Sequence, residues 1–319
     1  MISDAVARSL AVAVGFGIDR VLGEPPVRVH PMVGFGWLMK RVEANIYADT
    51  RTAGTVMCAA GTVVGMGIGI VGNRVLGRHV ATALAVATAV AGKMLADEAL
   101  HVGSYLERND LPAARERVIS LVGRSTADLG EAEISRAVIE SLAENTVDAV
   151  IASLVWASIG GAPAVLAHRA VNTLDAMVGH HSPRYEQFGW ASARLDDVVN
   201  WVPARMAAIA VAASYPAKAR TILRIVRCDA GQHPSPNGGV IEAAYAAALD
   251  VQLGGTNRYG DAVEDRGVLG DGRVVEVADI SRAVKLSQRI GLVCALILPM
   301  VFGGCRMAFR KICQLGTVA

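Results

Sequence analysis

The chain has 319 residues, of which 53% are hydrophobic and only 19% charged, and its mean hydropathy is +0.39. That is too apolar for an ordinary soluble domain and for a disordered chain, so a membrane is expected. A net charge of +2 supplies no basic stripe, which sets nucleic acid aside as a partner. Five scattered cysteines without a Cys-x-x-Cys pair indicate neither a disulfide scaffold nor a structural zinc site.

In chain order, the first apolar stretch, 10–18, is too short to span alone, and no small-residue cleavage site follows it, so it does not read as a signal peptide. A rigid interfacial turn is expected around Gly23-Glu24-Pro25-Pro26 and His30-Pro31. Residues 52–73 are uncharged, and about 20 apolar residues cross a bilayer core. Within that run Gly61, Gly65 and Gly69 recur every fourth residue, a small-residue face that lets two helices approach closely in lipid. Gly67, Gly69 and Gly72 also match a dinucleotide fingerprint. No βαβ pattern surrounds them and no acidic residue follows at the required distance, so helix packing is the expected use. No Walker-type phosphate loop occurs anywhere.

A second apolar run, 79–92, ends at Lys93, which can snorkel to the interface. The polar stretch 93–148 reads as helices broken near Asn109-Asp110-Leu111-Pro112 and at Gly123. Residues 149–167 are uncharged but interrupted by Gly160-Gly161-Ala162-Pro163, and are expected to be re-entrant or protein-buried rather than to cross fully. After a weak run at 206–215, the polar stretch 218–289 is loop-rich around 233–239, helical over 240–253, and turns at Gly254-Gly255 and at Gly270-Asp271-Gly272. A polar helix from Asp279 leads into the last apolar run, 290–305. Little period-2 alternation is present, so the expected fold is all-α. It is a single polytopic membrane domain over 1–319, with segments near 4–20, 52–73, 79–97, 149–167, 203–215 and 290–306.

Two acidic groupings flank the interrupted run. Ser125-Thr126-Ala127-Asp128 resembles an N-cap box that would launch a helix through Glu131 to Asp148. On it Arg136, Glu140, Glu144 and Asp148 fall four apart, on one stripe. A solvated face is the plain reading. Because the stripe runs into the membrane boundary, where ions are costly, a magnesium ion or a cationic substrate group would explain the carboxylates. The second grouping is Asn172 and Asp175, followed by Arg194, Asp196, Asp197, Asn200 and Arg205. Hard oxygen ligands of this type suit Mg²⁺, and the arginines suit phosphate or carboxylate. Surface ion pairs and a helix cap are the alternative. The seven histidines show no ligand spacing, and His180-His181 reads as a polar turn. No nucleophile set can be argued from spacing.

The runs 122–129, 139–145 and 172–179 together resemble the CobD/CbiB family of cobalamin biosynthesis. Arg184-Tyr185, Phe188-Gly189, 193–197, Asn200-Trp201-Val202-Pro203-Ala204-Arg205, and Ser235-Pro236-Asn237-Gly238-Gly239 extend the resemblance, as do Asp19, Gly23-Glu24-Pro25 and His30-Pro31. It covers nearly the whole chain in order. Glu24, Ser153 and Val240 depart from the pattern, standing where aspartate, proline and tryptophan are expected.

The resemblance implies a multi-pass enzyme of the inner cell membrane. Its reaction would be an ATP-dependent ligation of the corrin f-propionate of adenosylcobyric acid to (R)-1-amino-2-propanol or its O-phosphate. Mg²⁺ would assist, with ATP as cosubstrate, and other late cobalamin-pathway enzymes are expected partners. On this reading Asp196, Asp197 and Asn200 hold Mg·ATP while Arg194 and Arg205 bind phosphate oxygens. Glu140 or Glu144 deprotonates or orients the amine, supported by Asn145 and Asp148. Arg124 and the loop carrying Ser235 and Asn237 bind the aminopropanol phosphate, and Asn172 and Asp175 complete the binding set.

Six spans would put 19–51, 93–148 and 216–289 on one side with 21 of the 31 Lys and Arg residues. The positive-inside rule makes that side cytoplasmic and turns the Asp196 group outward, away from ATP. A broken 149–167 segment removes this conflict. The competing readings are a Mg²⁺-dependent membrane prenyltransferase, which would carry two Asp-rich motifs, and a corrinoid transporter using Glu144 and Asp148, which would carry inverted repeats. The sequence has one Asp-Asp pair and no evident repeat.

Overall fold

The computed structural model describes residues 2–122, 126–180, 182–259 and 262–316. The chain runs α1 (Ile2–Leu22), α2 (Pro31–Ile46), α3 (Arg51–Leu76), α4 (Arg78–Ala89), α5 (Gly92–Glu107), α6 (Leu111–Val118) and α7 (Glu131–Asn145). A π-helical turn, Thr146–Ile151, leads into α8 (Ala152–Gly160) and α9 (Ala162–Leu174). Then come α10 (Trp190–Ser214), α11 (Ala219–Asp229), α12 (Gly238–Leu249), the hairpin β1 (Leu253–Tyr259) and β2 (Ala262–Leu269), and α13 (Val277–Gly316). The fold is that of an all-α polytopic membrane protein. Among the described residues four helical stretches are long and apolar enough to cross a bilayer: Arg51–Leu76, Arg78–Glu107, Glu131–Gly160 and Val277–Gly303.

The expected 149–167 segment is not one helix. Its first half continues α7 through the π turn into α8, and the chain then reverses at Gly161, whose φ of +66° is easy only for glycine. Its second half starts α9, with Pro163 in the first turn where no N–H is missed. The apolar stretch near 4–20 is a 21-residue helix, and that near 203–215 is the second half of α10; neither is among the four.

The chain divides into two compact units. Unit 1 holds Met1–Ala91, Ala152–Val199 and Val293–Ala319, and unit 2 holds Gly92–Ile151 and Asn200–Leu292. In unit 1, α3 packs on α9 along the glycine face expected from the sequence, and the fingerprint at Gly67 is simply helix. The opposite side of α3 exposes Val56, Val63, Ile68 and Val71, a surface suited to lipid. Phe35 and Met39 of α2 meet Met57, Leu174 and Phe188 in a buried cluster. His30 caps α2, its Nδ1 accepting from Met32 N–H at 3.2 Å, and Pro31 opens the helix.

Unit 2 is organised around α12, every residue of which is buried. Its alanines let neighbours approach closely, and it ends at Leu249 because Asp250 turns left-handed at φ +58°. The expected continuation of this helix to 253 is therefore wrong. Residues 253–259 and 262–269 pair as antiparallel strands instead, with an irregularity between Gly254 and Thr256. Gly254, Gly255 and Gly267 all have positive φ, so the Gly254-Gly255 pair expected as a turn serves instead inside a strand, beside the irregularity. The start of α7 also differs from expectation. Gly130, not the Ser125 box, precedes the first turn, and Glu133 Oε2 accepts from its N–H at 2.7 Å. Ser125 lies outside the described residues.

Buried Asp279 ties the start of α13 to the preceding loop. It accepts from Arg273 at 2.7 and 3.0 Å, from Arg282 at 2.5 Å and from Glu276 N–H at 2.9 Å. Asp279→Ala is expected to cost about 2–3 kcal/mol, because these charge-assisted bonds vanish together. A lowered melting midpoint of the detergent-solubilised protein would register it, and an unchanged midpoint would contradict it.

Candidate functional site

Unit 1 gathers polar side chains where α9 gives way to a π-helical turn, Asp175–Gly179, and where α10 begins. Arg169 Nη1 donates to Asn172 Oδ1 at 2.9 Å, and Asn172 Nδ2 donates to Asp196 Oδ1 at 3.3 Å. Burial, then the charges of Asp196 and Asp197, push the Asp175 carboxyl up to about 7. Burial also raises Asp197, while Arg194 works against it. A Cβ at Gly179 would lie 1.9 Å from Asp175 Oδ1, so a glycine there is what makes room for this carboxylate. Glu24 and His30 stand 3.7 Å apart and both feel Arg169, which brings the early Gly-Glu-Pro turn into the same electrostatic neighbourhood.

Asp175, Asp196 and Asp197 thus share one electrostatic neighbourhood with the Asn172 amide, rimmed by arginines, with their oxygens farther apart than a single ion would hold them. Hard oxygen donors carrying surplus negative charge are what Mg²⁺ binds. Asp175 enters this set on equal terms with Asp196 and Asp197. Asn200 lies one turn beyond Asp196 on α10, is fully buried, and belongs to unit 2.

Unit 2 holds a second and denser cluster. Buried Glu140 accepts from Gly254 N–H at 2.7 Å and sits 3.8 Å from Arg136. One turn on, Glu144 is 3.7 Å from Arg266 of β2. Glu242 of α12, with no exposed side-chain surface, lies 3.4 Å from His233 Nε2 and 3.9 Å from Arg266. Burial and the neighbouring Glu140 charge raise Glu242 to about 8, and burial lowers His233. The expected stripe from Arg136 continues only as far as Glu144. The π turn then adds a residue to the helical repeat before Asp148. Such bulges recur at functional sites because they re-aim side chains.

The other expected residues have local partners. Asn145 Nδ2 donates to Ser141 O at 2.9 Å. Ser235 Oγ accepts from Gly238 N–H at 3.0 Å and from Asn237 N–H at 3.3 Å, so the hydroxyl caps α12. Arg205 donates to Asn237 Oδ1 at 2.9 Å and Pro236 O at 3.1 Å while stacking on Trp201, which clamps the 235–237 loop. Arg194 is exposed at the rim of the unit 1 cluster. Arg124 and His181 lie outside the described residues.

Spacing alone missed His233, Glu242 and Arg266. A usable signal was present for Glu242, the one carboxylate in an otherwise apolar, alanine-rich helix. An ion buried there has to meet a partner.

A family model described as CobD/Cbib protein matches residues 12–287. The chain is 45% identical over 303 residues to the cobalamin biosynthesis protein CobD of Mycobacterium tuberculosis strain H37Rv, covering 92% of this chain and 96% of that one. It is 42% identical to its counterpart in Geobacter metallireducens over 254 residues, 76% of this chain and 80% of the other. Identity to the protein of that name in Halalkalibacterium halodurans is 36% over 294 residues, 88% and 92% of the two chains. No solved structure matches.

Proposed function

Because the chain belongs to the CobD/CbiB family of cobalamin biosynthesis proteins, we propose that it is the inner-membrane ligase that joins adenosylcobyric acid to (R)-1-amino-2-propanol or its O-phosphate. The observation that carries the reading is the hydrogen-bonded chain from Arg169 through Asn172 to Asp196, with Asp175 and Asp197 in the same electrostatic neighbourhood. A corrin propionate does not acylate an amine in water until one of its oxygens becomes a leaving group. Phosphoryl transfer from ATP supplies that group: a carboxylate oxygen attacks the γ-phosphorus, ADP departs, and an acyl phosphate results. The amine then attacks the acyl carbon, inorganic phosphate leaves, and the nitrogen gives up a proton.

The unit 1 donors suit Mg²⁺ in kind, three carboxylates and an amide in one electrostatic neighbourhood, and would draw together around the ion. When bound, Mg²⁺ offsets negative charge on the transferring phosphoryl group. Asp196, Asp197 and Asp175 would hold it. Asn172 fixes Asp196 by its hydrogen bond, and Arg169 in turn fixes Asn172. Arg194, exposed at the rim, binds phosphate oxygens.

Glu140 is committed to Gly254 N–H and Arg136, which leaves Glu144, of the two expected glutamates, to orient the amine. The loop held by Arg205, with Asn237 at the start of α12, is the expected seat of the aminopropanol phosphate.

The test uses purified protein in nanodiscs with adenosylcobyric acid, Mg·ATP, and either amine. Mass spectrometry of the corrinoid is expected to show an ATP-dependent amide whose mass names the amine used. Corrinoid that binds but forms no amide with either amine would overturn the reading.

A further inference from the structure

We propose that Glu144, His233 and Glu242 form a binding site for one divalent transition-metal ion of the zinc–cobalt–manganese type in unit 2. The inference concerns ligation alone and does not rest on the amide-forming reading. One oxygen of each glutamate and one nitrogen of His233 lie within 4.8 Å of one another, a spread that a small closing motion brings to metal-ligand distances.

The donors are prepared for ligation in three respects. With both glutamates ionised, neither Glu242 oxygen has a hydrogen-bond donor, although the side chain is fully buried; His233 Nε2, facing it, has none either. Unpartnered buried groups are costly, and these point at each other. His233 Nδ1 sits 3.2 Å from Ser235 O, where an Nδ1–H donates to the carbonyl and leaves the Nε2 lone pair free. That is the usual outer-shell arrangement of a metal-bound imidazole. The same Nδ1 is 3.0 Å from Ser235 N–H, so the metal-free ring can adopt the other tautomer, with an Nε2–H turned to Glu242. Finally, a Cβ at Gly238 would fall 2.9 Å from both Glu144 Oε1 and His233 Cε1, so the site closes over a glycine.

Among the described residues, the charged groups facing the site are Glu140, Glu144, Glu242, Arg136 and Arg266. An imidazole beside two carboxylates selects a borderline metal over Mg²⁺, which prefers an all-oxygen shell. Glu144, one-third exposed at 34%, marks the open side, where a further ligand can enter.

The experiment uses the full-length protein in detergent, stripped with a chelator and titrated with Co²⁺ in the absence of ATP and corrinoid. Wild type is expected to retain one Co²⁺ per chain through gel filtration, with visible absorption bands of a four- or five-coordinate ion. Millimolar Mg²⁺ is expected not to displace it. Glu242→Gln should weaken retention by roughly 100-fold or more. Glu144→Gln, at a partly exposed position that tolerates the change, should weaken it and alter the spectrum. Wild-type protein that retains no Co²⁺ overturns the proposal and leaves a proton shared between the glutamates. Equal binding by wild type and Glu144→Gln overturns the three-ligand site. The amide assay has no part in either readout, so the two readings fail separately.

Discussion

Changing Asp196 to asparagine is expected to cut ATP-dependent amide formation by roughly 10²–10³-fold while the protein stays folded. The replacement keeps an oxygen to accept from Asn172 Nδ2, now 3.3 Å from Asp196 Oδ1, so the local hydrogen-bond chain from Arg169 survives. What disappears is one of the two charges that, after burial, raise Asp175. The apo protein should therefore lose no stability, because a repulsion is relieved. The loss appears on the catalytic side: half-saturating Mg²⁺ rises and kcat falls together, since the metal acts on charge that develops during phosphoryl transfer. Arg194→Ala offers a contrast. An exposed phosphate contact made equally in ground and transition states raises KM for ATP and spares kcat. Steady-state kinetics of the two variants over a Mg²⁺ series separates the roles. An Asp196→Asn enzyme that keeps wild-type turnover at low Mg²⁺ would remove the metal from unit 1.

The two clusters differ in how far the sequence reveals them. Asp175, Asp196 and Asp197 were legible because they sit on consecutive elements around a single turn, and local spacing describes such a group well. The unit 2 cluster draws on α7, the 233–239 loop, α12 and β2, and no local period connects those elements. Glu140 and Glu144 were visible as a stripe, but their partners were not. His233 had no ligand spacing to flag it, and Arg266 sits in a hairpin whose three positive-φ glycines, two on β1 and one on β2, hide the alternation that would announce it. The same glycines explain why an otherwise helical fold carries an unforeseen hairpin. The helix boundaries near 149–167 failed for another reason. Hydropathy marks where apolar residues lie and does not mark where the chain reverses, and here the reversal falls at Gly161 inside the run.

Where the sequence read deepest was α3, and the glycines there carry the second large expected effect. Between helices in lipid no hydrophobic driving force remains, so close van der Waals packing has to supply the attraction, and small residues make it possible. A Cβ at Gly65 would lie 2.5 Å from Leu166 O and 2.8 Å from Ala170 Cβ; at Gly69 it would lie 2.5 Å from the Pro163 backbone. These are contacts with backbone and with a short, stiff side chain, so nothing nearby can rotate away. Gly65→Val is expected to force α3 and α9 apart, at about 1–3 kcal/mol or more, and to cut the yield of monodisperse protein sharply. Gly67 is the internal control on the same helix. A Cβ there meets nothing within 4 Å, so Gly67→Ala should be neutral or stabilise by up to about 1 kcal/mol through helix propensity. Because α9 leads directly into Asp175, loss of the glycine face should also disturb the acidic cluster. In partly folded Gly65→Val protein the half-saturating Mg²⁺ is expected to rise along with the loss of melting temperature. Similar melting midpoints for Gly65→Val and Gly67→Ala would show that α3 does not pack through this face.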